Sequence, residues 1–168
     1  SEDGGSFLPI DTIFDPSIIS YIDVNADAAN QSVSYVIATY DCTGIPGPNN
    51  GIPHSTLFAS ADVDDCGTEA ITLNWNAYVP WAGTLTNYEV WVDVADDGLA
   101  PAVTEIEAGT TTWSYTLPAG FSNVCFEVRA LSSVSIQPSV SNEICISVDD
   151  TQGPAYMYLT HLTVLDNN

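Results

Sequence analysis

Between residues 70 and 150 the chain alternates apolar and polar side chains repeatedly, in runs too short for helices. In the stretch 71–76, Ile71, Leu73 and Trp75 fall on one beat and Thr72, Asn74 and Asn76 on the other. That period of two belongs to a half-buried antiparallel strand. "NYEVWVDV" repeats it, with Tyr88, Val90, Val92 and Val94 on one face and Glu89, Trp91 and Asp93 on the other. Asp96, Asp97 and Gly98 then supply a turn. "AVTEIEAG" and "TTTWSYTLP" read as short strands, "NVCFEVRALS" as a longer one with Val124, Phe126 and Val128 in phase, and "NEICISV" as the last. Short strands at roughly ten-residue spacing predict an all-β chain folded as an antiparallel β-sandwich.

Upstream the pattern is less regular. "GIPGPNNGIP" at 44–53 is loop by composition, and it carries neither a phosphate-cradling P-loop nor a dinucleotide fingerprint. "HSTLFASADV" at 54–63 reads in three ways: the last strand of one unit, the first of the next, or a strand that serves both.

A chain of 168 residues with 45% hydrophobic content holds one complete core and parts of others. Its charge is extreme, since 22 acids face a single base, Arg129, for a formal charge of −21. Nucleic acid is excluded as a partner, because phosphate binding needs clustered Lys and Arg. Disordered acidic chains are poor in β-branched and aromatic residues, whereas this one is rich in both, so the acids form a solvated surface. Repulsion of this size favours soluble, monomeric molecules and screening by salt or divalent cations. No apolar run approaches the ~18 residues of a membrane span, and "SEDGGSFLPI" does not read as a signal peptide.

Four cysteines without a C-x-x-C pair read as two disulfides, which implies an extracellular compartment. The last two strands run symmetrically about residue 135, so an antiparallel hairpin sets Cys125 opposite Cys145, out of phase with Phe126 and Val128. The two sulfurs then meet on the outer face. By elimination Cys42 pairs with Cys66. Geometry argues against that second bond if 54–63 is one extended strand, whose ends lie roughly 30 Å apart at ~3.3 Å per residue.

The sequence offers little chemistry. His54 and His161 have no histidine, cysteine or acid at ligand spacing and read as structural. No nucleophile elbow and no marked pair of carboxylates appears, so no catalytic residue and no cofactor is expected. Three acidic knots remain: Asp62, Asp64 and Asp65; Asp93, Asp96 and Asp97; Asp149 and Asp150. Each reads first as a solvated turn. Calcium is the alternative, with Asp62, Asp64, Asp65, Asp149 and Asp150 the preferred ligands because they flank unit junctions that a cation would stiffen. Trp91 and Arg129 occupy the outer faces of neighbouring strands and are expected to pack on each other. An exposed indole for sugar stacking is the alternative.

The run "ITLNWNAY … NYEVWV … YTLPAGFSNVCFEVRAL … SNEICISV" resembles a fibronectin type III module over residues of about 60–149. The resemblance implies that Trp75 is the core tryptophan of strand B, filling the space between the sheets. It also implies that Tyr88 opens strand C, that "VRA" ends strand F and that "SNE" enters strand G. The tyrosine usual near the start of strand F is replaced by Val124. More narrowly, "YIDVNADAANQSVSYVIATYDCTG", "HSTLF" and "LNWNAYVPW" are similar to repeats of large gliding-associated surface proteins that leave bacteria by type 9 secretion. That likeness implies an extracellular, repeat-built protein of the cell surface and no enzyme.

Internal echoes point the same way. "YVIATYD" at 35–41 returns as "FEVRALS" at 126–132, and Pro53, Phe58, Val63 and Asp65 return as Pro154, Leu159, Val164 and Asp166. Residues 1–58 therefore read as the C-terminal part of a preceding module, 59–149 as a complete module and 150–168 as the first strand of a following one. The expected function is a non-catalytic stalk, spacer or adhesive module. Its expected partners are neighbouring modules or subunits, with surface glycans or the secretion machinery as further candidates. The alternatives are an accessory module of a secreted hydrolase and a filament subunit that assembles by strand donation.

Overall fold

The computed structural model describes residues 7–41, 53–63, 70–80, 83–94, 96–134 and 137–148. Their regular structure is all strand: β1 (Ser34–Tyr35), β2 (His54–Ser55), β3 (Ala59–Val63), β4 (Ala70–Trp75), β5 (Leu85–Val94), β6 (Ala100–Glu107), β7 (Thr112–Thr116), β8 (Asn123–Ser132), β9 (Ser139–Val140) and β10 (Ile144–Ser147). Among the described residues no helix is long and apolar enough to cross a membrane.

Two antiparallel sheets pack as a β-sandwich. One has the order β3-β4-β7 and the other β10-β8-β5-β6, with β9 also on β8. The alternation of the sequence sets which face turns inward. Ile71, Leu73 and Trp75 of β4 join Tyr88, Val90 and Val92 of β5 and Val124, Phe126 and Val128 of β8 in one core. Each such side chain contributes about 1.5–3 kcal/mol when fully enclosed. Trp75 meets Tyr88 edge-on at 5.5 Å between ring centroids, and Tyr115 meets Phe126 in the same manner at 5.4 Å. Edge-to-face contact sets the positive rim of one ring on the negative face of the other. Tyr88 keeps its hydroxyl satisfied by accepting the Tyr78 N–H at 2.9 Å, while burial pushes its phenol above the usual range. The indole N–H of Trp75, equally shielded, has no hydrogen-bond partner.

Local chemistry explains the strand ends. Asp96 and Gly98 turn the chain from β5 into β6 with φ of 59° and 97°, a left-handed region that glycine enters freely and Asp tolerates. The register between β5 and β6 slips on either side of Val90, which places Pro101 opposite Trp91. Proline lacks an N–H and is tolerated there because β6 ends the sheet order.

Two features depart from the regular alternation. Residues 54–63 are not one extended strand but β2 and β3 with a break between them. The last strand is divided as well, into β9 and β10.

Candidate functional site

The break in 54–63 is where the described parts of the chain join. β2 pairs antiparallel with β1, setting Ser34 against Ser55 and Tyr35 against His54. β3 pairs with β4, from Ala59 against Trp75 to Val63 against Ile71. One stretch of ten residues therefore serves two pairings. At its middle Thr56 turns toward β1: its N–H donates to the Val33 carbonyl, and its hydroxyl accepts the Val33 N–H, both at 2.9 Å. Leu57 drops into the core of the sandwich, where it is fully enclosed.

Two asparagines hold the crossover. The Asn76 side chain accepts the Phe58 N–H at 2.7 Å and donates to the Thr56 carbonyl at 3.2 Å. Asn142 does the same for the next residue, accepting the Ala59 N–H at 2.9 Å and donating to the Ala59 carbonyl at 3.0 Å. A primary amide carries one acceptor and two donors, so Asn142 satisfies both backbone groups of Ala59, the first residue of β3, while Asn76 satisfies one group each of Phe58 and Thr56. The division of the last strand frees Asn142 for this task. Ser141 beside it holds Val128 by N–H to carbonyl at 2.9 Å and by hydroxyl from N–H at 3.0 Å. The outer ring nitrogen contact of His54 is to the Val79 carbonyl, at 3.2 Å from Nδ1.

The outer face of the larger sheet carries the second group of side chains. Cys125 stands opposite Cys145 in the β8–β10 register, and the two are joined in a disulfide. Across β8 and β5, Glu89 stands opposite Arg129 and Trp91 opposite Glu127. The Arg129 guanidinium lies 3.7 Å from the centroid of the Trp91 ring. Its Nε pairs with Glu127 Oε1 at 2.5 Å, and Trp91 Nε1 donates to Glu89 Oε2 at 2.9 Å. The protein's single base is thus spent on an indole and one carboxylate of its own surface. A stacked guanidinium contributes about 0.5–1 kcal/mol at such a site. This packing is what the strand phases predict for Trp91 and Arg129, and it covers one face of the indole.

The acidic knots are only partly within view. Asp62 is exposed and accepts a hydrogen bond from Asn74 Nδ2 at 3.2 Å. Asp64, Asp65, Asp149 and Asp150 lie outside the described residues, as do Cys42, Cys66, Trp81 and His161. Asp96 and Asp97 form the exposed hairpin turn, whereas Asp93 stands beside Cys125 with a shielded Oδ1 that has no hydrogen-bond partner. Among the described residues the one clustering of potential metal-binding groups is Cys125, Glu143 and Cys145, within 4.8 Å of one another. The two sulfurs are bonded to each other, which leaves Glu143 as the donor of that group.

Sequence pattern alone missed both asparagine clasps. Asn76 and Asn142 sit inside "WNAY" and "SNE", phrases that carry the family resemblance, but nothing in apolar alternation marks an amide that substitutes for a strand. Neither protein-family models nor curated proteins match the chain.

Proposed function

We propose that the chain is a non-catalytic segment of a repeat-built extracellular bacterial surface protein, in which fibronectin type III-like modules follow one another as a stalk or spacer. The observation that carries this reading is the crossover at 54–63, where one short stretch ends a hairpin and begins a sandwich within ten residues. A linker so short, pinned by Asn76 and Asn142, transmits orientation from one unit to the next.

Three further observations support it. Trp75 and Tyr88 lie on the second and third strands after the crossover and pack on each other, as the module resemblance requires. The hairpin β1–β2 repeats the pairing of β8–β10: Ser34 faces Ser55 where, 91 and 90 residues on, Cys125 faces Cys145. The conspicuous acid and aromatic side chains of the outer face are occupied by one another. With a charge of −21, such modules repel laterally and stay extended, and calcium at the junction acids would stiffen them.

The test is a fragment. Residues 57–149, which keep Leu57 of the sandwich core, expressed alone should unfold in one cooperative transition, at a denaturant midpoint close to that of the same transition in the full chain. Loss of cooperativity in that fragment would mean that the flanking segments belong to its core and that the modular reading is wrong.

A further inference from the structure

The disulfide on the outer face of the larger sheet stands among carboxylates. Glu143, two residues before Cys145, brings a carboxylate oxygen within 4.8 Å of both sulfurs. On the other side, Asp93 of β5 is the register partner of Cys125 and carries a shielded Oδ1 without a hydrogen-bond partner. Such an oxygen is rare in a folded protein and calls for an explanation. The chain's one arginine, with no lysine to add to it, is already engaged with Glu127 and Trp91, and the Trp91 indole holds Glu89. No lysine or arginine is left to balance Asp93 and Glu143.

The two sulfurs differ in access. Cys145 and Glu143 are exposed, and Cys125 is half-buried. A thiolate attacks a disulfide at the sulfur it can reach. A dithiol reductant therefore meets Cys145 first: a mixed disulfide forms there, Cys125 leaves as a thiolate and takes up a proton, and the second thiol of the reductant then displaces Cys145. Two electrons and two protons pass to the pair, and the reductant is left as its cyclic disulfide. The pair is then two thiols on directly opposed positions of β8 and β10, with Glu143 beside them. Cβ atoms so placed lie about 4.5–5.5 Å apart. Two thiolates on one zinc ion, each at about 2.3 Å, stand about 3.8 Å from each other. The strands thus hold both sulfurs at chelating distance with no change of register. Two thiolates beside two carboxylates repel one another, and a divalent cation removes that repulsion as it displaces the two thiol protons.

We propose that Cys125, Cys145 and Glu143 form a redox-gated site for a thiophilic divalent cation of the zinc class, closed while the disulfide stands and opened by a dithiol reductant. The three side chains are the protein ligands, water takes the fourth tetrahedral position, and Asp93 adds negative charge from β5. Thiolate donors select zinc over calcium and magnesium, which take oxygen ligands. A cation held there ties β8 to β10 as the disulfide does, so the cross-link outlasts reduction. The site lies within one sheet of the sandwich and stands apart from the stalk reading.

The experiment uses the full chain with Cys42→Ser and Cys66→Ser, which leaves Cys125 and Cys145 as its only thiols. Cobalt(II), a spectroscopic stand-in for zinc, is added without air after reduction by a phosphine, which does not hold the metal as a dithiol would. The reduced chain should take up one equivalent, with a thiolate-to-cobalt charge-transfer band in the near ultraviolet that zinc abolishes. The oxidised chain should show no such band. Glu143→Gln should weaken zinc binding at least about 10-fold, the loss that removing even an outer-shell partner brings. Asp93→Asn should weaken it by a smaller factor, since it withdraws charge and not a bond. Zinc should also raise the melting temperature of the reduced chain and leave that of the oxidised chain unchanged. Where reduction alone unfolds the sandwich, zinc should restore it, because Glu143 meets both thiolates only in the β8–β10 register. A reduced chain without the band, zinc affinity indifferent to Glu143→Gln, or metal held by a chain that stays unfolded would overturn the proposal. If serine at 42 and 66 disturbs folding, the parent chain is compared with its Cys125→Ser, Cys145→Ser variant. The variant should take up one equivalent of cobalt less, and equal uptake would place the metal elsewhere and overturn the proposal.

Discussion

Two hairpins of this chain, β1–β2 and β8–β10, share a plan and differ in what lies across from them. Each sets two small side chains opposite one another on adjacent strands, Ser34 with Ser55 and Cys125 with Cys145. The serine hydroxyls share a hydrogen bond of 2.7 Å, and the cysteines a covalent bond. In both, a hydroxyl residue anchors the neighbouring strand twice: Thr56 holds Val33, and Ser141 holds Val128, each through its backbone N–H and its side-chain oxygen. Yet Val128 is fully enclosed, and Ile37, the residue that echoes it, is 73% exposed. The strands themselves do not decide burial. Val128 faces a second sheet carrying Ile71, Leu73 and Trp75, and the first hairpin has no such sheet among the described residues.

If the opposite sheet makes the difference, its tryptophan is the place to break it. Trp75→Ala should lower the stability of the sandwich by about 3–5 kcal/mol in denaturant titrations, as expected for emptying a buried aromatic site. Trp75→Phe should cost much less, because it keeps a ring against Tyr88 and removes an N–H that has no partner. Equal losses for the two would show that the indole nitrogen, and not the ring, is what the core needs.

The covalent bond is the next largest difference. Replacing Cys125 and Cys145 with serine should cost about 3 kcal/mol, the loop-closure contribution expected for a separation of 20 residues. The reverse exchange sharpens the comparison: Ser34→Cys with Ser55→Cys should form a new disulfide under mild oxidation, read by non-reducing peptide mapping. Failure of the 34–55 link to form would mean that the two hairpins do not share a register in solution.

Much of this plan is legible in the chain. Alternation marks β4, β5 and β8 and their inward faces, because one face meets a core and the other meets water, and the energetic contrast repeats every second residue. The Cys125–Cys145 pairing follows from the symmetry of a hairpin. The break inside 54–63 and the division of the last strand are not legible in that way. Side-chain amides of Asn76 and Asn142 replace the backbone partners that a continuous strand would have supplied, and a polar residue at a strand end looks the same whether it clasps a backbone or faces solvent. Ile37 echoes Val128 in the sequence, and only the fold shows that Val128 is enclosed while Ile37 is exposed.

Smaller substitutions probe the same contrast position by position. Val128→Ala should cost roughly 1.5–3 kcal/mol, while Ile37→Ala should stay within about 0.5 kcal/mol, as surface changes do. Matching losses in thermal melts would show that Ile37 is covered after all. The smallest effect is expected outside the core. Trp91→Ala removes the ring beneath Arg129 and should cost about 0.5–1 kcal/mol, shrinking as salt screens the guanidinium.

The bond between β8 and β10 also governs what a pull on the chain can release. A chain drawn straight spans about 3.3–3.6 Å per residue, so the sequence separation of 20 from Cys125 to Cys145 holds roughly 70 Å of contour. Tension entering at one sulfur leaves by the other and never reaches the loop between them. The sandwich can lose β3 and β4 to such a load and still keep that length in reserve, which a reducing agent would set free.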